Sequence, residues 1–506
     1  MIERSDLEDV LPLSPLQEGL LFHVLLDERG PDVYVAQFVL DVEGNLDAAA
    51  LHTASQALLD RYPNLRAAFR RTTEDRCVAL IARHVRLPWQ TVDLSSLDPV
   101  TGQAEAARLL ADERACRFDL ARPPLMRMVL VRLGDGRHRL AITIHHILAD
   151  GWSVPILVQE LFALYASGGD ATALPPVTPY RDYLAWLGAQ DRPAAQAAWR
   201  DALAGLDGPT LVAGADRQRV PLIPDNVTVE LSEELTAALT GQARRLGVTL
   251  NTVIQGTWSI LLGRMSGRCD VVFGMTVSGR PADLAGVESM VGLFINTVPV
   301  RVRLRPQEPV GHALVRLQAE QARLLAHHHL GLVDIHQLAG LGQLFDTLVV
   351  YQNYPFDPSR TYELACGLRI TGKGGHNSTH YPLTLVAFPG PRLALKLDCR
   401  PDVVDEVAAQ VMVGRLVRVL EQLAADAGQP VGRVDILDAQ ERRRLLVEWN
   451  DTAVEVAQVT LPVLFETQVQ ATPQAVAVVF EDTRLTYSQL NAKANQLAHA
   501  LIGRGV

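Results

Sequence analysis

Residues 139–153 read Arg-Leu-Ala-Ile-Thr-Ile-His-His-Ile-Leu-Ala-Asp-Gly-Trp-Ser. An apolar run rich in β-branched residues delivers two adjacent histidines and then breaks at Asp150-Gly151. The run suits a buried strand and the Asp-Gly pair suits a turn. Strand side chains alternate between faces, so His145 and His146 meet different environments. One can enter a cavity while the other is packed away. Two satisfied core histidines beside a turn give the same local pattern, and only the rest of the chain separates these readings.

Outward from this strand, residues 125–133 read as a strand able to pair with it, and 152–166 as a helix. Further upstream, 33–42 alternates like a strand, and 46–60 is an amphipathic helix with Leu51, Ala54, Leu58 and Leu59 on one stripe. Residues 65–70 and 78–83 read as strands and 104–116 as a helix. Leucines across 7–27 fall near helical spacing, with Pro12 and Pro15 breaking the early part. The first 170 or so residues therefore predict an α/β layer domain. Gly168-Gly169-Asp170 and the prolines that follow mark a linker. Beyond it the mixture repeats. Helices are predicted at 180–187, 193–204, 232–246, 249–265, 312–328 and 403–424. Strands are predicted at 270–277, 290–302 (interrupted at Asn296-Thr297), 345–351 and 393–399. Two similar α/β lobes with a cleft between them follow from this repetition. After Gly428 a charge run, Glu441 to Arg444, leads into a third segment with a helix at 488–502, where the chain reads as cut inside a domain.

With 506 residues, about three domains are expected. The composition, 48% hydrophobic and 21% charged, is that of a globular protein without a membrane-spanning apolar run. The charged start carries no signal-type apolar core, which predicts a cytoplasmic protein. A net charge of −10 without a basic cluster argues against nucleic acid as a partner. Five scattered cysteines fit buried thiols in a reduced compartment. Only three of the 47 basic residues are lysines, the balance expected of a high-GC bacterial genome.

His-x-x-x-Asp-Gly makes chemical sense in acyl transfer. A neutral imidazole with a pKa of about 6.5 can take a proton from an attacking amine or hydroxyl. A buried Asp four positions on needs a cationic partner such as an arginine. His145-His146-Ile147-Leu148-Ala149-Asp150-Gly151 resembles the His-His-x-x-x-Asp-Gly signature of condensation domains of nonribosomal peptide synthetases. Other stretches resemble the family's core motifs in the same order. Ser14 to His23 resembles the first, Arg61 to Phe69 the second, and Tyr180 to Trp186 the fourth. Val291 to Thr297 resembles the fifth and Tyr351 to Asp357 the sixth. Trp449-Asn450-Asp451-Thr452 looks like the linker after such a domain, and Leu485 to Asn491 like the opening motif of an adenylation domain.

The resemblance implies two chloramphenicol-acetyltransferase-like α/β lobes arranged as a V around a central tunnel. They are expected at 1–172 and 173–437, followed by a linker at 438–460 and a truncated adenylation start at 461–506 that should not activate ATP. It implies amide bond formation between a donor peptidyl or acyl thioester and an acceptor aminoacyl thioester. Both are carried on 4'-phosphopantetheine arms of upstream and downstream peptidyl carrier domains, with no cofactor bound by this chain itself. The remainder of the adenylation domain is a further expected partner; membrane and nucleic acid are not. Two stretches depart from the pattern of domains that join two L-residues. Pro15-Leu16-Gln17-Glu18-Gly19 stands in the first motif, and Thr379-His380-Tyr381-Pro382-Leu383-Thr384-Leu385 in the seventh. Both are similar to the subclass whose donor ends in a D-residue. The alternatives are an epimerisation domain, which shares the histidine motif, or a non-catalytic condensation-like recruitment platform.

By the same resemblance His146 is the catalytic candidate, either as the base for the acceptor amine or as a group that orients it. Strand alternation makes His145 structural. Asp150 and Gly151 hold the turn, with Arg280 as candidate partner for Asp150 and Arg66 as the other choice. Ala149, Trp152, Ser153 and Asn296 are candidate substrate contacts. For Ser153 a helix cap, and for Asn296 a crossover-loop hydrogen bond, are the competing roles. His327-His328-His329 reads as a helix end rather than a metal site, and no metal is expected.

Overall fold

A computed structural model describes residues 4–26, 30–72, 76–213, 222–353, 362–456 and 458–506. The chain forms two compact units, Met1–Ile436 and Leu437–Val506. The first holds two six-stranded mixed sheets, each packed with helices.

The first sheet is centred on the motif strand, Arg137–His145, between Val35–Glu43 and Met126–Gly134, both antiparallel to it. Trp89–Asp93 adds parallel to Met126–Gly134, and the intervening helix Pro99–Ala115 makes the crossover such a pair requires. Helix Ala48–Arg61, capped by the Asp47 carboxylate, buries the predicted stripe Leu51, Ala54, Leu58 and Leu59. It packs against helix Ser153–Ala166, which continues from the motif. The second sheet runs Asn296–Arg303, Asp270–Val277, Thr347–Tyr351, Leu383–Phe388, Ala394–Cys399, Asp225–Glu230. Helix Leu250–Ser266 is buried almost all round, with Trp258 at its centre, and so reads as apolar rather than amphipathic.

Three expectations change. Residues 7–12 form a strand, Leu7–Pro12, in a small sheet with Cys77–Ala82 and Ala67–Arg71; the helix is confined to Pro15–Leu26. Pro12 and Pro15 bracket the break, since proline disfavours a helical residue before it. Residues 63–66 form a short 3-10 turn ahead of the strand Ala67–Arg71. The division of the chain at 172/173 is also crossed. Tyr362–Glu363 and Arg369–His376 leave the second half and join the first sheet beside Val35–Glu43. Val291, Leu293, Leu368 and Ile370 likewise belong to the first core. Three glycines hide the strand Arg369–His376 from propensity. Two of them serve close approach: a Cβ on Gly375 would sit 2.5 Å from the Gln37 carbonyl oxygen and one on Gly372 2.7 Å from Asp41 Oδ2, whereas Gly374 faces open space.

The second unit contains helix Leu461–Ala471, a hairpin of Val476–Phe480 and Thr483–Thr486, and helix Tyr487–Ile502 with a Thr486/Gln489 capping box. Among its described residues none is fully buried, and Phe480 is 69% exposed. No helix of the described residues is long and apolar enough to cross a membrane.

Two histidines of the second lobe set an acid limit on the fold. Burial lowers the imidazoles of His328 and His336 to about 4. The unfolded chain then binds protons that the native state refuses between pH 6.5 and 4, so stability is complete above 6.5 and lost as pH falls through that window. A chemical-denaturation series from pH 7.5 to 4.5 should show a loss on the order of 3 kcal/mol from this pair. A flat profile would contradict their burial as neutral groups.

Candidate functional site

Where the motif strand ends, the two histidines diverge. The His145 amide donates to the Leu125 carbonyl and that of His146 to the Tyr34 carbonyl, both at 2.9 Å. The His145 ring is fully buried, and its Nδ1 accepts the Ile147 N–H at 3.1 Å. That bond leaves the ring proton on Nε2, which lies 3.2 Å from Oδ2 of Asp32. Burial on its own would raise the Asp32 carboxyl, but His145 and the Tyr34 N–H outweigh it and hold the group below its usual value. Asp32 sits in a polar loop without periodicity, so no local pattern in the sequence marks it.

His146 lines a cavity of about 2410 Å³ formed by both lobes. Part of its surface stays accessible, and its buried Nδ1 has no hydrogen-bond partner among the described residues. Burial pulls the imidazole below its ordinary pKa, partly opposed by Asp150. The neutral ring is therefore the prevailing form at pH 7, as proton abstraction from an amine requires.

Asp150 does not face that ring. Its Oδ1 accepts from the Ser153 N–H (3.0 Å), the Ser153 hydroxyl (2.8 Å) and Arg280 Nη2 (3.2 Å), and Oδ2 accepts from the Phe294 N–H (3.1 Å). The Arg280 guanidinium also donates to the Met290 and Val287 carbonyls and lies 3.9 Å over the Phe294 ring. Gly279, at φ +61°, has no room for a side chain: a Cβ would come 1.8 Å from the Phe294 carbonyl oxygen. Of the two candidate arginines, Arg280 meets Asp150. Arg66 does not; it pairs with Glu8 at 2.7 Å and donates to the Ala82 and Arg83 carbonyls. Its position on the 3-10 turn beside the small sheet points it away from the motif.

The separate motifs meet on one strap, residues 291–294. Asn64 donates to the Val291 carbonyl at 3.0 Å and Tyr180 to that of Leu293 at 2.6 Å, and the Gly292 N–H donates to the Ser153 hydroxyl oxygen at 3.1 Å. Gln17 ties the first motif to the loop after the histidines through the Ile147 carbonyl, at 3.0 Å. The described part of the sixth stretch, Tyr351 to Asn353, leads off the strand Thr347–Tyr351, whereas 354–357 lie outside the described residues.

The candidate substrate contacts divide. Of the four, Asn296 lines the cavity, as does Gly151 of the supporting turn. Asn296 spends its amide on the His328 and Leu330 carbonyls, both at 2.8 Å, so it fastens the crossover loop. Ser153, Ala149 and Trp152 do not line the cavity. Ser153 is fully buried on Asp150, Ala149 is packed in the first core, and Trp152 is half-buried at the start of the following helix. The three consecutive histidines close a helix, with Leu325–His327 forming its last 3-10 turn, and no metal-holding cluster occurs among the described residues.

A group that linear reading misses also lines the cavity. Tyr34 Oη and His380 Nδ1 share a 2.7 Å hydrogen bond, and the His380 ring lies 4.2 Å from that of His23 and 4.1 Å from that of Tyr381. Burial lowers both imidazoles and raises both phenols, so all four groups are neutral. Tyr34 and His380 stand 346 positions apart in the chain, which hides the cluster from any local pattern.

Residues 7–446 match the condensation domain family, and residues 465–506 match the AMP-binding enzyme family. The chain is 38% identical to a linear gramicidin synthase protein of Brevibacillus parabrevis over 100% of its own length, which is 7% of that protein. It is 34% identical to bacitracin synthase 3 of Bacillus licheniformis, over 99% of this chain and 8% of the relative. The chain thus spans less than a tenth of either of these curated relatives. The first condensation domain of the calcium-dependent antibiotic synthetase, solved with a substrate analogue, shares the fold at TM-score 0.72 and 24% identity, covering 85% of this chain and 100% of that one. With residues 7–446 matched and the histidine motif at the wall of a large two-lobed cavity, the chain belongs to the condensation domain family of nonribosomal peptide synthetases, followed by the start of an AMP-binding enzyme segment.

Proposed function

We propose that this chain joins a donor acyl or peptidyl thioester to the amine of an acceptor aminoacyl thioester, with His146 acting on that amine. The observation that carries the reading is His146 itself: a neutral imidazole at the wall of the cavity, with its backbone pinned to Tyr34 and its strand clamped beneath. In the reaction the acceptor nitrogen attacks the donor carbonyl carbon, forming C–N and a tetrahedral oxyanion. Collapse breaks the C–S bond. The proton lost by the amine passes, through His146 or past it, to the departing thiolate. Holding both thioesters beside the ring supplies a large part of the acceleration by proximity. Asp150, Arg280 and Ser153 act as scaffold, bonded to each other and to the backbone between Val287 and Phe294.

Both substrates arrive on the 4'-phosphopantetheine arms of an upstream donor and a downstream acceptor carrier domain, and the cavity is large enough for two such thioesters. The rest of an adenylation domain is the partner of residues 461–506, whose exposed apolar side chains include Leu461, Phe480 and Ile502. The departures at 15–19 and 379–385 support a donor ending in a D-residue. Small pantetheine thioesters of both donor configurations, offered with an aminoacyl thioester acceptor, test this. An amide product formed faster from the D-donor is expected. Equal rates would remove the stereochemical assignment, and no amide from either would remove the reaction.

A further inference from the structure

The two stretches that depart from the pattern for two L-residues lie far apart in the chain, yet they meet in the cavity. The first of them, 15–19, opens helix Pro15–Leu26, which carries His23 a turn further on, and His380 lies in the second, just ahead of strand Leu383–Phe388. Their rings sit 4.2 Å apart at an angle of 31°. Tyr34 joins them, 2.7 Å from His380 through its hydroxyl, with its own ring 6.2 Å from that of His23. The residue that accepts the His146 amide is this same Tyr34, at 2.9 Å, so the wall and the imidazole share one rigid piece of backbone. Ser378 adds a bond to the Val33 carbonyl at 3.0 Å and fixes the 378–381 segment against that backbone.

We infer that His23, Tyr34 and His380 form the wall that reads the configuration of the donor's terminal α-carbon, as positioning residues rather than proton carriers. Chiral selection needs a surface whose distance from the reacting carbonyl is fixed, because the two configurations differ only in which substituent points at the wall. A hydrogen-bonded, stacked set of rings anchored on the backbone of the reacting histidine's neighbour has that rigidity. Uncharged rings also present a face to the side chain or hydrogen of the α-carbon without trapping a charged group. The inference rests on the D-donor reading above.

The test compares kcat/KM for N-acyl-D- and N-acyl-L-aminoacyl pantetheine thioesters with small, aliphatic and aromatic side chains in the full chain and three variants. Tyr34→Phe removes the hydroxyl and keeps the ring. His380→Gln keeps a hydrogen-bonding group and removes the ring. His23→Ala opens the stack. Melting temperature is read alongside, and Tyr34→Phe, the smallest change, is the reference where a larger one lowers the folded fraction. We expect the D/L ratio to fall at least tenfold in His380→Gln and His23→Ala, and to fall less in Tyr34→Phe, mainly through lost D-donor turnover. A wild-type chain without D preference would overturn the D-donor reading and this inference with it. A wild-type D preference that survives unchanged in folded variants would overturn the inference alone.

Discussion

Arg280→Ala is expected to leave little soluble protein, with any folded fraction destabilised by about 3–5 kcal/mol. Asp150 is completely buried in side chain and Arg280 is 7% exposed, so solvent cannot take over the lost charge. The substitution strands the Asp150 carboxylate and frees the Met290 and Val287 carbonyls. It also strips the cation from the face of Phe294. Against a total stability of about 5–15 kcal/mol this is a large fraction. Arg280→Lys keeps a charge but cannot reach carboxylate, carbonyls and ring together, so it should fall in between. Asp150→Asn breaks the same buried pair from the other side: Arg280 loses its counter-ion, and the single amide oxygen can serve Ser153 or the Phe294 N–H but not both, so its cost should be comparable to that of Arg280→Ala. Urea midpoints and soluble yield measure the series. A folded Arg280→Ala with the parental midpoint would remove the pair as the clamp under the motif. A folded but inactive Asp150→Asn would move Asp150 from scaffold to chemistry.

His146→Ala is expected to behave in the opposite way, with the fold intact and turnover lost. The ring borders a cavity, so its removal leaves the core packed and the melting temperature nearly unchanged. Loss of a proton-accepting group costs about 10²–10⁴ in kcat. The residual rate stays above the uncatalysed one because the two thioesters are still held together. With its pKa pulled below 6.5 by burial, His146 is neutral through pH 7. For a general base, log kcat/KM is then level near neutrality and falls only as pH drops below that depressed value. Acceptors whose amines differ in basicity separate this fall from titration of the amine itself. Near-parental turnover in the folded variant would take the histidine out of the mechanism.

What the chain discloses in advance follows from how local each signal is. The motif strand, the stripe on Ala48–Arg61 and the strand Asp270–Val277 carry periodic or β-branched patterns that survive folding unchanged. Arg369–His376 does not, since Gly372 and Gly375 answer to the approach of Val35–Glu43, a constraint set by a strand from the far end of the sequence. The site divides along the same line. The buried fate of His145 at the end of the strand agrees with alternation, whereas His146 already stands on the turn that follows it. That Arg280 rather than Arg66 meets Asp150 depends on a turn reaching across the molecule. Ala149 and Ser153 look like substrate contacts from their place in the motif, but a residue next to a reacting group on a strand or turn tends to point into the core behind it. Asp32 and Tyr34 have no pattern to offer, and although His23 and His380 lie in motif-like stretches, nothing local brings them together, because their neighbours come from distant segments.

Amide formation between two carrier-bound thioesters leaves a mass signature on each arm. It is tested most directly by mixing the full chain with one carrier domain loaded with a peptidyl donor and another with an aminoacyl acceptor, then following both phosphopantetheine arms by mass spectrometry. The donor group is expected to leave its arm and appear on the acceptor arm, which gains the mass of the donor acyl group, and His146→Ala should slow this transfer about 10²-fold or more. A donor that stays on its own arm while exchanging its α-hydrogen, or two arms that remain unchanged, would contradict it.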